Sequence, residues 1–189
     1  MNIPNKLTMI RMFLIPVFML LLLFDKIPHN YLFALIVFSV AALTDLLDGH
    51  IARRDTIVTD FGKFMDPLAD KLLVTSALIC FIELDLVSAV AVTIIIAREF
   101  AVTALRLVAS GSGTVIAANI WGKAKTVSQM IAVIAIMFMQ WINTLQLSFV
   151  ALLPIALISD ILIIIATTLT LISGVTYIIQ NKKFISTVK

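Results

Sequence analysis

Six stretches of this chain are long and apolar enough to cross a lipid bilayer, and nothing else in the sequence limits its fold so strongly. They run over about residues 6–24, 31–53, 61–82, 86–108, 121–142 and 158–180. A membrane-spanning helix needs roughly 20 mainly apolar residues. The predicted fold is therefore all-α and integral to a membrane, with six transmembrane helices. Composition agrees: 61% of the residues are hydrophobic and 13% charged, against about half and a quarter in a soluble domain. Five prolines and six glycines among 189 residues leave no room for a long flexible linker, and no repeat is visible. One domain over residues 1–189 is expected. The opening "MNIPNKLTMIRMFLIPVFMLLLLF" has the basic residue and apolar stretch of a signal peptide. It lacks a small-residue cleavage site and Arg11 interrupts it early, so it reads as a retained first span. Residues 145–157, with Pro154, are either an interfacial turn or the start of a long sixth helix. The single cysteine, Cys80, excludes an internal disulfide and reads as a small buried or lipid-facing residue.

Charge sets the orientation. Of the fourteen Lys and Arg residues, only Lys26 falls in the connections near Asp25, near Glu83 and Asp85, and near Asn143. The other thirteen lie at the opposite ends or inside spans. The positive-inside rule then puts both termini and the 54–60 turn in the cytoplasm. The net charge of +3, which in a soluble domain points to nucleic acid, here reflects topology or anionic lipid. Membrane lipid is an expected partner and nucleic acid is not. Trp121 and Trp141 bracket the fifth span at interface depths.

Between the second and third spans lies "TDLLDGHIARRDTIVTDFGKFMDPLADK", residues 44–71. Asp45 and Asp48 are three apart, and Asp66 and Asp70 four apart, so each pair shares a helix face. If the two helices pack antiparallel about the 54–60 turn, the acidic faces meet at the cytoplasmic side. A charged side chain at mid-membrane costs about 2.5–3.5 kcal/mol, and two like charges 4 Å apart repel by about 4 kcal/mol at an effective dielectric of 20. Cations resolve both penalties. The oxygen-only ligand set, His50 apart, favours a hard divalent ion, Mg²⁺ or Mn²⁺, over zinc. Two such ions about 3.5–4 Å apart suit four carboxylates and a pyrophosphate. Asp55 and Asp60, flanking the turn, read as caps or as partners of nearby Lys and Arg. Gly49, Ala52 and Gly62 lie on or near the acidic faces. Small side chains there admit a phosphate or a flat ring, or simply let helices pack closely. Pro67 removes a backbone donor beside Asp66.

Written out, the pattern is Asp45-x-x-Asp48-Gly49-x-x-Ala52-Arg53, eight residues, then Gly62-x-x-x-Asp66-x-x-x-Asp70. It resembles the signature of the CDP-alcohol phosphotransferases at all eight fixed positions. The stretches "NIPNKLTMIRMFLIP", "IIIAREFAVTALR" and "WGKAKTVSQM" resemble the branch of that family whose acceptor is glycerol 3-phosphate. The likeness covers most of residues 1–130; the last third matches mainly in hydropathy. The resemblance implies that the four aspartates bind two metal ions and that Asp70 is the general base. It implies that Asp48, Gly49, Ala52, Arg53 and Gly62 help hold the cytidine diphosphate of CDP-diacylglycerol. It further implies a homodimer in the inner membrane of a bacterium.

The basic residues of the fourth and fifth spans agree with an acceptor that carries a dianion. Arg98 and Arg106 lie eight apart, roughly 80° apart around a helix axis, and Lys123 and Lys125 begin the fifth span. All four are candidates for the acceptor phosphate, with Lys123 and Lys125 alternatively positive-inside anchors and Arg106 alternatively snorkelling to the interface. Glu99 is either the counter-charge of Arg98 or faces elsewhere, because adjacent helical residues do not share a face. Asn5, Thr8 and Arg11 are weaker candidates for head-group contact. Asp160 reads as the cap of the sixth span, and Ser110 to Gly113 as a turn before the fifth. Two rival functions stay open: the same chemistry with phosphatidylglycerol, serine or an inositol phosphate as acceptor, and a cation transporter built on the same acids.

Overall fold

A computed structural model describes residues 3–55, 60–111, 120–147, 150 and 153–181, with backbone alone for residues 3–7, 45–55, 60–68, 70 and 110. The described residues form six α-helices: α1 (Ile3–Leu23), α2 (Asn30–Asp55), α3 (Asp60–Glu83), α4 (Ala89–Gly111), α5 (Ile120–Thr144) and α6 (Ile155–Gln180). They coincide with the six expected spans to within a few residues. The shortest has 21 residues and the longest 26, or about 32 to 39 Å at 1.5 Å per residue. By length and composition α5 and α6 are apolar enough to cross a membrane; Thr8–Leu23 and Asn30–Thr44 are shorter apolar helical segments.

Two departures from expectation concern helix ends. The sixth helix starts at Ile155, directly after Pro154, where a missing backbone N–H is an orphan anyway. Asp160 therefore lies inside α6, exposed, and caps nothing. Ser110 and Gly111 belong to the last turn of α4 instead of a loop, since nothing before them breaks its hydrogen-bond ladder.

The helices fall into two compact units. The first comprises residues 1–85 and 133–155, and the second residues 86–132 and 156–189. In the first, α1 packs on α2 and α3, and α2 on α3. Ile15, Phe18 and Leu22 recur at helical spacing and are buried, as are Ala34, Phe38 and Ala41 of α2. The Phe18 and Phe38 rings meet at 5.6 Å, tilted by 53°, a favourable aromatic geometry. Asn30 donates from Nδ2 to the carbonyl of Leu22 at 3.1 Å, satisfying one of the orphan acceptors at the end of α1. The first, third and fifth connections each contain a non-glycine residue in the left-handed region: His29 (φ 58°), Asp85 (φ 54°) and Gln146 (φ 51°). Cys80 is buried.

The distribution of polarity is inverted relative to a soluble protein. Large apolar side chains are exposed on every helix, among them Phe13, Phe33, Ile79, Phe100, Ile131 and Ile164. Meanwhile Thr8, Arg11, Ser76, Lys125, Gln129, Thr170 and Ser173 are buried, and Arg11 is among the largest fully buried side chains. Soluble monomers rarely expose continuous apolar surface on that scale; facing lipid, it carries no penalty. Of the two clearly apolar helices α5 is the less so, so one charge there has the greater effect. Ile131→Asp, on its exposed side, is expected to lower the membrane-inserted fraction in an insertion assay by an amount equivalent to about 2.5–3.5 kcal/mol, with Ile131→Leu unchanged.

Candidate active site

The best-defined polar cluster lies in the second unit. On α4, Arg98 and Glu99 are neighbours whose long side chains bend together: Arg98 Nη1 donates to Glu99 Oε1 at 2.9 Å. Lys125 Nζ, from the second turn of α5, donates to the same Glu99 oxygen. Glu99 is thus the counter-charge of both cations, the first of the two alternatives left open by the sequence. Arg98 Nη2 donates to Ser173 Oγ on α6 at 2.6 Å. Beside it, Gly174 leaves room for the arginine shaft; a Cβ at Gly174 would stand 2.9 Å from Arg98 Cγ, closer than real Cβ contacts allow.

Arg106, two turns further along α4, donates from Nε to Tyr177 Oη at 3.0 Å. Its guanidinium carbon lies 5.5 Å from the centre of the Tyr177 ring, within range of a cation–π attraction. Gln129 of α5 donates from Nε2 to Thr170 Oγ1 at 3.1 Å, and Thr170 Oγ1 donates in turn to the Ala166 carbonyl at 2.6 Å. One face of α6, carrying Thr170, Ser173, Gly174 and Tyr177, is therefore spent on α4 and α5. All four are buried, and their spacing of three to four residues keeps them in line.

Burial gives the cluster its chemistry. Lys125 is 5% exposed and the side chains of Arg98 and Glu99 are 10% and 14% exposed. Desolvating an ion costs several kcal/mol, recovered only through good pairing. Here, among the described residues, two cations share one carboxylate, and Arg106 is held by the neutral Tyr177. Cationic donors drawn from two helices into a buried setting make the cluster suited to an anion. Arg98 Nε is also buried and makes no hydrogen bond among the described residues.

Of the four residues expected at an acceptor phosphate, the structure brings Arg98 and Lys125 together and ties Arg106 to the same face of α6. Lys125 is no solvent-facing anchor, and Arg106 is held by Tyr177. Lys123 is exposed. Thr8 and Arg11 of α1 are each 1% exposed; the side chain of Asn5 lies outside the described residues. Ser173, Gly174, Tyr177, Thr170 and Gln129 were not singled out in the sequence. Their signal was the run of small and polar residues at helical spacing through "TTLTLISGVTY", in a helix otherwise dominated by Ile and Leu.

In the first unit, the backbone carries Asp45 and Asp48 on α2 and Asp66 and Asp70 on α3, two helices that pack on each other. The α3 helix runs on through Pro67. The four aspartate side chains lie outside the described residues, as do those of Gly49, His50, Ala52, Arg53 and Gly62. The donor set itself, carboxylates on two packed helices, fits a divalent cation with oxygen preference.

A family model for CDP-alcohol phosphatidyltransferases matches residues 1–179. The chain belongs to that family. It is similar to the CDP-diacylglycerol–glycerol-3-phosphate 3-phosphatidyltransferase of Bacillus subtilis strain 168, with 44% identity over 98% of each chain. The protein of the same name from Pseudomonas fluorescens is 40% identical over 72% of each chain, and that from Rickettsia bellii 34% identical over 97% of each. The match to the phosphatidyltransferase family takes in α1 to α5 and nearly all of α6, including the Ser173–Tyr177 stretch.

Not every polar pair in the second unit belongs to the ionic cluster. Gln129→Leu removes the bond to Thr170 alone. Interhelical hydrogen bonds in membranes average about 0.6 kcal/mol and reach about 1.7, so unfolding in detergent is expected to shift by less than about 2 kcal/mol with turnover retained.

Proposed function

We infer that this chain transfers the phosphatidyl group of CDP-diacylglycerol to glycerol 3-phosphate, giving phosphatidylglycerophosphate and CMP. The observation that carries this reading is identity along nearly the whole chain with relatives named for that reaction. The buried cationic cluster supports the choice of acceptor. Arg98 and Lys125 meet there and Arg106 lies two turns further along α4, cationic donors suited to a phosphate dianion and superfluous for a neutral alcohol.

Asp45, Asp48, Asp66 and Asp70 hold two divalent ions, Mg²⁺ or Mn²⁺, on the grounds of the oxygen-only donor set and of family membership. Such ions, when bound, neutralise the pyrophosphate and the departing CMP. Asp48, Gly49, Ala52, Arg53 and Gly62 hold the cytidine diphosphate, small residues admitting it and the arginine countering its charge. Arg98, Arg106, Lys123 and Lys125 bind the acceptor phosphate, and Asn5, Thr8 and Arg11 the head-group edge. Asp70 takes the proton of the primary hydroxyl of glycerol 3-phosphate; that oxygen attacks the phosphorus bearing diacylglycerol, the bond to the CMP oxygen breaks, and CMP leaves. Positioning and electrostatics supply most of the acceleration. All six helices span the inner membrane of a bacterium as one domain, with the termini and the polar site on the cytoplasmic face, where the excess of Lys and Arg lies. The active form is a homodimer.

Purified protein supplied with CDP-diacylglycerol, Mg²⁺ or Mn²⁺ and a panel of alcohols tests the reading. CMP and lipid product are expected with glycerol 3-phosphate and not with serine, phosphatidylglycerol or an inositol phosphate. Product from another alcohol alone reassigns the acceptor, and no CMP with any alcohol points to cation transport. Chelation is expected to abolish CMP release, and either metal to restore it. Asp70→Asn should keep its melting temperature and lose about 10²–10⁴-fold in turnover; normal turnover refutes the base assignment.

A further inference from the structure

We propose that Glu99, Ser173 and Gly174 are positioning residues for acceptor-phosphate recognition, so that α6, which carries no signature residue, sets the selectivity of the enzyme for a phosphorylated alcohol. The proposal rests on the glycerol 3-phosphate reading above and deepens it.

Two buried cations on separate helices repel each other and keep no fixed geometry unless something anchors both. Glu99 does so with a single oxygen, Oε1, which receives Arg98 Nη1 and Lys125 Nζ. The carboxylate thereby holds the two cationic groups side by side.

The guanidinium plane of Arg98 is set from the other side by α6. Ser173 Oγ accepts from Nη2 at 2.6 Å, and the shaft of the arginine lies across Gly174. A methyl group at 174 would stand 2.9 Å from Cγ and 3.7 Å from Nε. Since Cγ is near the root of the side chain, it cannot retreat without carrying the guanidinium with it. Nη1 donates to Glu99 and Nη2 to Ser173, so Nε is the guanidinium nitrogen without a partner among the described residues. Nε is buried, on a side chain about nine-tenths buried. A buried charged donor left in that state is costly, and an anion oxygen on the Nε edge of the fork removes the cost. Glu99, Ser173 and Gly174 thus hold the arginine so that two of its nitrogens are fixed and the third is available.

The test measures KM and kcat for each substrate separately in detergent-solubilised full chain, with glycerol as the acceptor that lacks a phosphate. Gly174→Ala adds a good helix former, and so preserves α6. It is expected to raise KM for glycerol 3-phosphate about tenfold or more, leave KM for CDP-diacylglycerol unchanged, and reduce the preference for glycerol 3-phosphate over glycerol. Glu99→Gln and Ser173→Ala should do the same, with Ser173→Thr restoring the wild-type value. In an Arg98→Ala background, Gly174→Ala should add no further loss. Should Gly174→Ala fail to accumulate in the membrane, the Ser173 pair decides alone. Equal rises in both KM values, or a fall in kcat with KM for glycerol 3-phosphate unchanged, overturns the proposal while leaving the activity intact. A wild-type protein that makes product only from another alcohol overturns the acceptor reading itself, a result distinct from any behaviour of the variants.

Discussion

Lipid offers no hydrogen bonds, so a polar group drawn inside a bundle of lipid-facing helices must find its partner in the protein. The arrangement of α4, α5 and α6 follows from that constraint. Arg98, Lys125 and Glu99 form one ionic cluster, and Ser173 ties it to α6. Tyr177 takes Arg106, and Thr170 takes Gln129. With apolar side chains turned outward at little gain or loss, it is these polar ties, together with close packing at small residues such as Gly174, that give the three helices a definite register.

The same constraint bears on why the charges are there. An ion pair in a low-dielectric setting is weak evidence for stability, because well-packed apolar residues often do as well. On the proposed function, the penalty of holding cations out of water is offset further when the acceptor phosphate arrives. The acidic positions on α2 and α3 present the complementary case, where four carboxylates call for cations.

The helices were legible in the sequence because a run of about twenty apolar residues admits few structures. Their ends were less so. Pro154 marks the start of α6, yet the apolar character of residues 145–157 hid the boundary and made Asp160 resemble a cap. Three of the four acceptor candidates proved to be gathered about one face of α6, because cations inside apolar helices are conspicuous. Glu99 was ambiguous for a geometric reason: consecutive Cβ atoms diverge by about 100°, but arginine and glutamate are long enough to fold back and meet. The partners on α6 were passed over because Ser, Gly, Thr and Tyr scarcely change hydropathy, and only their spacing sets them apart. For the four aspartates spacing decides only the shared helix faces; their side chains lie outside the described residues.

Alternate connections, the first, third and fifth, place His29, Asp85 and Gln146 in a backbone conformation that glycine adopts without steric opposition. Histidine and aspartate tolerate it better than most, glutamine less so. None of the three is a glycine, so each of these connections holds a side chain against a local steric bias. The fold therefore keeps a modest reserve of unclaimed stability in its connections, remote in sequence from every residue assigned to chemistry, and an engineer seeking a hardier protein for detergent work has three places to draw on it.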